Sequence, residues 1–112
     1  MDNTREIQTK LGKRSAEFSK RTGDAGKAFE DMINSNYNDG PLDKETIELV
    51  LLGMAIVKQC KPCILAHARK ASELKISPEK IDHVSSLAVQ MNGGPGRVYG
   101  SFAAEVYRDF LE

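Results

Sequence analysis

Four side chains in this sequence have types and spacing suited to joint chemistry: Glu48, Cys60, Cys63 and His67. Cys60 and Cys63 bracket a Lys-Pro dipeptide, and His67 follows the second cysteine by four residues. Each helical residue turns the chain by about 100°, so Cys60, Cys63 and His67 project to one side of a helix. Cys63 and His67 are then i, i+4 neighbours. A free thiol, with a pKa near ~8.5, is only about 3% thiolate at neutral pH. The partial positive charge of a helix N-terminus and a histidine within reach both raise that fraction. The spacing predicts a reactive thiol pair and leaves open which cysteine is the nucleophile.

Glu48 adds a third element, as the one charged residue between Ile47 and Val57. A carboxylate on a largely buried helix is costly unless it is paired, hydrogen-bonded or protonated. A histidine one helix away is a natural partner. The carboxylate would orient the imidazole and favour its charged form, as a proton relay requires. Blander readings of the same residues are an inert core cysteine pair, a satisfied core histidine and a rim glutamate. Zinc is a chemical rival, because two cysteines and a histidine are soft ligands, but a structural site needs four. There is no second Cys-x-x-Cys, and His83 falls on a different helix, so no metal is expected.

The elements that must position these groups all read as helices. Ile7, Leu11 and Phe18 recur at helical intervals from about Asn3 to Arg21, and Thr22-Gly23-Asp24 breaks the pattern. Ala25, Ala28, Phe29, Met32 and Ile33 then define one apolar helix face, and Asn34 to Pro41 reads as a turn-rich connection. Asp43 is placed to N-cap a third helix. From Ile47 to Val57 that helix is apolar nearly all round and must be covered on most sides. The pattern slackens at Lys58-Gln59-Cys60. Pro62 is tolerated in a first turn, which puts Cys60 near the N-cap of a fourth helix running to about Leu74.

Ser77-Pro78 opens a fifth helix whose Ile81, Val84, Ser85, Ala88 and Met91 share a face, and Asn92 to Gly96 ends it. The last helix carries Val98, Phe102, Val106 and Phe110, with Tyr99, Ala103 and Tyr107 widening the stripe. No strand pair, repeat or linker is visible. The expectation is an all-α, single-domain bundle of about six helices spanning 1–112. A thioredoxin-type scaffold needs a strand before its Cys-x-x-Cys, whereas here an apolar helix precedes it.

Bulk properties narrow the function classes. At 112 residues the chain fills one domain. Its 16 basic and 16 acidic side chains cancel, leaving no long-range field to steer it to nucleic acid or a membrane surface. Lys10–Lys13–Arg14 and Lys20–Arg21 sit among acids and read as solvated helix faces. The N-terminus is polar with no apolar core segment, and no stretch is long enough to span a bilayer, so a cytoplasmic protein is expected. In a reducing compartment two cysteines do not form a structural framework, and a Cys-x-x-Cys bridge closes too small a loop to stabilise much.

Glu48, Cys60, Cys63 and His67 fit the pattern E-x(11)-C-x(2)-C-x(3)-H. On those residues the chain resembles the alkylhydroperoxidase D core of the carboxymuconolactone decarboxylase-like superfamily. GPLDKETIELVLLGMAI, CKPCILAH and NGGPG carry the similarity, which covers about 29–110 and leaves 1–28 as an N-terminal helical region. The resemblance implies an all-helical subunit that assembles into trimers or hexamers. It also implies reduction of peroxides or disulfides by a Cys60–Cys63 redox couple, with Glu48 and His67 as the relay. No bound cofactor is implied; electrons would come from an external dithiol, such as a lipoyl-bearing protein recharged from NADH. Some peroxidase members carry a histidine where this chain has Pro62, which comparatively favours disulfide reduction here. The true decarboxylases lack the cysteine pair, so lactone decarboxylation is not the implied activity. A redox sensor or interaction protein of the same fold is the alternative.

Overall fold

Asn3, Asp43, Cys60 and Ser77 each open a helix by accepting a backbone N–H on the side chain, so four helix starts are written in single residues. The computed structural model describes residues 3–112; the first two residues of the expected 1–28 region lie outside it. The helices are α1 (Thr4–Arg21), α2 (Asp24–Asn38), α3 (Lys44–Val57), α4 (Lys61–Glu73), α5 (Pro78–Asn92) and α6 (Gly94–Leu111). No strand occurs among the described residues, and the architecture is an all-α single domain. Leu52 and Ile56 of α3, Ile64 and Ala68 of α4, Ile76 in the α4–α5 link, Ile81 of α5 and Tyr107 of α6 meet in one core.

Three expectations are corrected. First, α2 continues to Asn38 through the stretch read as a turn-rich connection. Its polar residues serve their own helix: Asn38 Nδ2 donates to the Asn34 carbonyl at 2.8 Å, and Ser35 Oγ to Asp39 at 3.1 Å. Second, the α5–α6 break narrows to Gly93, at φ 66°, while Gly94-Pro95-Gly96 forms the first turn of α6. A Cβ on Gly96 would lie 2.7 Å from the Ala88 carbonyl oxygen, so only glycine lets the two helices approach this closely. Third, that contact sets the face of α6. Gly96, Gly100, Ala103, Val106, Tyr107 and Phe110 point inward, and of the expected stripe Val98, about 200° round the helix from Gly96, turns out to 65% exposure. Met91 keeps to the side of α5 that carries Val84 and Ala88, where the three line one groove, but is itself exposed.

The α3 helix is covered on one side only. Glu48, Leu52, Ala55 and Ile56 are buried, whereas Val50 and Met54 remain exposed in the single chain. By contrast α1 buries no residue, and polar groups tie it down. Thr4 Oγ1 donates to Asp109 at 2.7 Å, while Arg69 of α4 reaches Gln8 and Thr9.

Two helix ends set the register of the site and of the core. At the end of α3 the Gln59 N–H donates to the Ile56 carbonyl and the Cys60 N–H to Ala55, with Gln59 left-handed at φ 60°. At the end of α4 the Lys75 N–H donates to Ser72 and the Ile76 N–H to Ala71, with Lys75 at φ 58°. Both are Schellman reversals built without the usual glycine.

Candidate functional site

The reversal after α3 gives Cys60 two jobs. Its N–H closes α3, and its sulfur, as N-cap of α4, accepts the Cys63 N–H at 3.3 Å. Pro62 sits in the first turn, where its missing N–H costs no helical bond. The sulfurs of Cys60 and Cys63 are at bonding distance, their Cα atoms 5.3 Å apart. The α3 end is further held by Asn92, whose Nδ2 donates to the Val57 carbonyl at 3.1 Å. Lys61, between the cysteines, stacks its ammonium 5.5 Å from the Phe102 ring centroid.

One turn beyond Cys63, His67 meets Glu48. The His67 Nδ1 and Glu48 Oε1 atoms are 2.8 Å apart, which joins α4 to α3 through the one acid of the apolar stretch. Glu48 is 1% exposed and the His67 side chain 19%. With Nδ1–H donating to the carboxylate, a neutral imidazole keeps its lone pair on Nε2, the atom able to take a proton. Burial alone would raise the Glu48 carboxyl. The hydrogen bond from His67 and the nearby Tyr37 hydroxyl, with the charges of His67 and Lys70, outweigh it and hold the group below the ordinary carboxyl value. Of the four residues singled out from the sequence, Cys60 thus meets Cys63 and Glu48 meets His67, and α4 links the two pairs, with His67 one turn beyond Cys63.

Sequence reasoning missed Tyr37 and Lys70. Lys70 lies on the His67 side of α4, with its Nζ 3.5 Å from the Tyr37 hydroxyl and 4.8 Å from the ring centroid. Burial and the adjoining Glu48 carboxylate push the Tyr37 phenol well above its ordinary range. The signal was present: Phe29, Ile33 and Tyr37 continue at four-residue spacing, which a helix read through Asn38 would have joined. His67, Tyr37 and Lys70 edge a cavity of about 600 Å³ whose other walls include Phe29, Met32, Leu42, Ile47 and Leu51. His83 is exposed on α5, away from this site. Among the described residues no group of three or more His, Cys, Asp or Glu side chains is placed to hold a metal ion. Nor is any described helix long and apolar enough to cross a membrane.

Fold and site together define a class: a small helical protein bearing a Cys-x-x-Cys at a helix start beside a buried Glu–His pair. The chain belongs to the carboxymuconolactone decarboxylase family, whose profile matches residues 23–105. The crystal structure of an apo carboxymuconolactone decarboxylase family protein from Legionella pneumophila superposes with a TM-score of 0.91 at 29% identity, covering 100% of both chains. An uncharacterised protein of Cupriavidus necator is 29% identical over 104 residues, covering 87% of this chain and 92% of its own. An uncharacterised protein of the cox locus of Paracoccus denitrificans is 29% identical over 90 residues, covering 80% and 81%.

Proposed function

We propose that this chain is a thiol-dependent oxidoreductase that reduces peroxides or disulfides through Cys60 and Cys63, with Glu48 and His67 as proton relay. The observation that carries the reading is the 2.8 Å contact between His67 Nδ1 and the buried Glu48, on the helix that starts with the cysteine pair. An isolated buried carboxylate is costly, and one that fixes an imidazole tautomer beside two cysteines has a chemical use.

On this reading His67 Nε2 takes the Cys63 proton while Nδ1–H stays on Glu48. With a peroxide, the Cys63 thiolate attacks one oxygen and the O–O bond breaks. The leaving alkoxide collects the proton from His67, and Cys63 becomes a sulfenic acid. The Cys60 thiol then displaces that hydroxyl as water and closes the disulfide. An external dithiol, of lipoyl type, reopens the bridge by two exchanges and leaves as a disulfide itself. With a disulfide substrate, Cys60 attacks first and Cys63 resolves the mixed disulfide. The helix start and the Cys63 N–H favour negative charge on the Cys60 sulfur in that role. No bound cofactor takes part, and the reducing interior of the cell is the setting. Self-association belongs to the same reading: Val50 and Met54 of α3, with Leu87 and Met91 of α5, leave an apolar groove open in the single chain.

Dithiol-dependent reduction of tert-butyl hydroperoxide and of a lipoyl disulfide, beside Cys60→Ser and Cys63→Ser variants, tests the reading. Many turnovers that vanish in both variants are expected, with the lipoyl disulfide the better substrate. A single stoichiometric oxidation without cycling would replace the enzyme by a redox sensor.

A further inference from the structure

We infer that Tyr37 is a positioning residue of the Glu48–His67 pair, its hydroxyl, backed by Lys70, acting as the second donor that fixes the buried carboxylate. The inference rests on the relay proposed above and adds a residue from a third helix to it.

The argument begins with what a buried carboxylate needs. Ionised, it has about four lone-pair sites to satisfy, and His67 supplies one donor. Glu48 is 1% exposed, so water reaches it only by way of the small cavity that it lines. The α2 helix supplies the remedy by running on to Asn38, which brings Tyr37 over α3 and α4. Tyr37, Lys70 and Glu48 line one small cavity, which sets the hydroxyl beside the carboxylate it is inferred to donate to. The oxygen of that hydroxyl faces Lys70 Nζ at 3.5 Å, and the ammonium lies 4.8 Å from the ring centroid. A cation beside a phenol oxygen polarises its O–H and strengthens the bond it donates onward. Four groups then follow one another, Lys70 to Tyr37 to Glu48 to His67, of which the Tyr37–Glu48 link is the one proposed.

Two cavities meet at this line. The apolar one reaches Tyr37, Lys70 and His67, while a smaller one of about 350 Å³ reaches Tyr37, Lys70 and Glu48. The smaller space is also lined by Lys44 of α3 and Glu73 of α4, so its walls carry two cations and an acid besides Glu48. Tyr37 stands where the two spaces share a wall. Removing its hydroxyl would leave Glu48 with one protein donor and an open side, free to rotate off His67 or to take up a proton.

The test is a pH titration of the Glu48 side-chain carboxyl by carbon-13 NMR, in wild type, Tyr37→Phe and Lys70→Met. It is paired with the pH profile of iodoacetamide alkylation of the reduced thiols, which adds Glu48→Gln. Loss of one charge-assisted donor should move the Glu48 midpoint up by about one pH unit in Tyr37→Phe. The acid limb of alkylation should move up with it, and Lys70→Met should shift both by less in the same direction. A purely structural tyrosine would change the midpoint of unfolding and neither profile. Tyr37→Phe with both profiles superimposed on the wild type overturns the inference and leaves the Glu48–His67 relay standing. Alkylation unchanged by Glu48→Gln overturns the relay, and the inference with it. Should Tyr37→Phe fail to fold, an unmoved Glu48 titration in Lys70→Met overturns it instead.

Discussion

The ends of α3 and α4 share one backbone device and serve opposite purposes. Each is a reversal through a left-handed residue that is not glycine, Gln59 in one and Lys75 in the other. Each passes a backbone N–H back to an alanine carbonyl, Ala55 or Ala71. They differ in the residue delivered next. The second end delivers Ile76, 1% exposed, whose carbonyl accepts the buried Tyr107 hydroxyl. The first delivers Cys60, half-buried, whose sulfur stays at the rim and caps the following helix. The comparison teaches that the turn fixes position alone; the side chain that follows decides whether that position is a core anchor or one half of a cysteine pair.

The largest effect that would break this contrast comes from exchanging anchors. Ile76→Ala should cost about 2–5 kcal/mol, as for large-to-small core changes, and lower the urea midpoint while leaving turnover per folded molecule intact. Cys60→Ser, measured under reducing conditions, should stay within about 1 kcal/mol of wild type and abolish turnover. If Ile76→Ala also slowed the thiols of the folded fraction, the two ends would not be separable.

A second effect is confined to acid. Glu48 is lowered in the folded protein, so the stability it contributes is complete above the unfolded carboxyl value of about 4.3 and is lost as pH falls through the lower folded value. Urea unfolding of wild type and Glu48→Gln should therefore show a gap at pH 7 that shrinks towards pH 3. A gap independent of pH would mean that charge on Glu48 adds nothing to the fold.

The smallest effect should be equal at both ends. Gln59→Gly and Lys75→Gly each relieve a left-handed side chain and should raise stability by about 0.5–1 kcal/mol in thermal unfolding, with turnover unchanged. A gain at Lys75 and a loss at Gln59 would show that the reactive end uses its side chain.

Much of this arrangement was legible in the sequence where one residue type has one physical use. Pro62 marked the start of α4 and Asp43 that of α3, and Glu48 stood out because an acid in an apolar helix needs a partner. The left-handed Gln59 was not legible, since nothing local distinguishes it from a helical glutamine; the register of Cys60 against Ala55 selects it. The α2 end was misjudged because Asn, Ser and Asp favour turns and their bonds back onto helix carbonyls look the same in sequence. On α6 only Val98 was misplaced, because glycine reads as a breaker, while in a helix pair Gly96 and Gly100 are the points of closest approach. Tyr37 was hidden by the first of these errors.

The way α1 is attached has a consequence for motion. Arg5 donates to the Phe110 carbonyl at 2.5 Å and lies 5.7 Å from the Phe110 ring centroid; Thr4 holds Asp109 and Arg69 holds Gln8. These bonds fasten the first helix to the last and to the helix that carries His67, while of its apolar side chains only Leu11, partly buried, packs against the core. Such a segment is a clasp: it opens at little cost in hydrophobic burial and closes again on polar contacts. Its amides are expected to exchange with solvent faster than those of α3 and α6. The Glu48–His67 pair can thus stay held between α3 and α4 while the strap across α4 opens and closes.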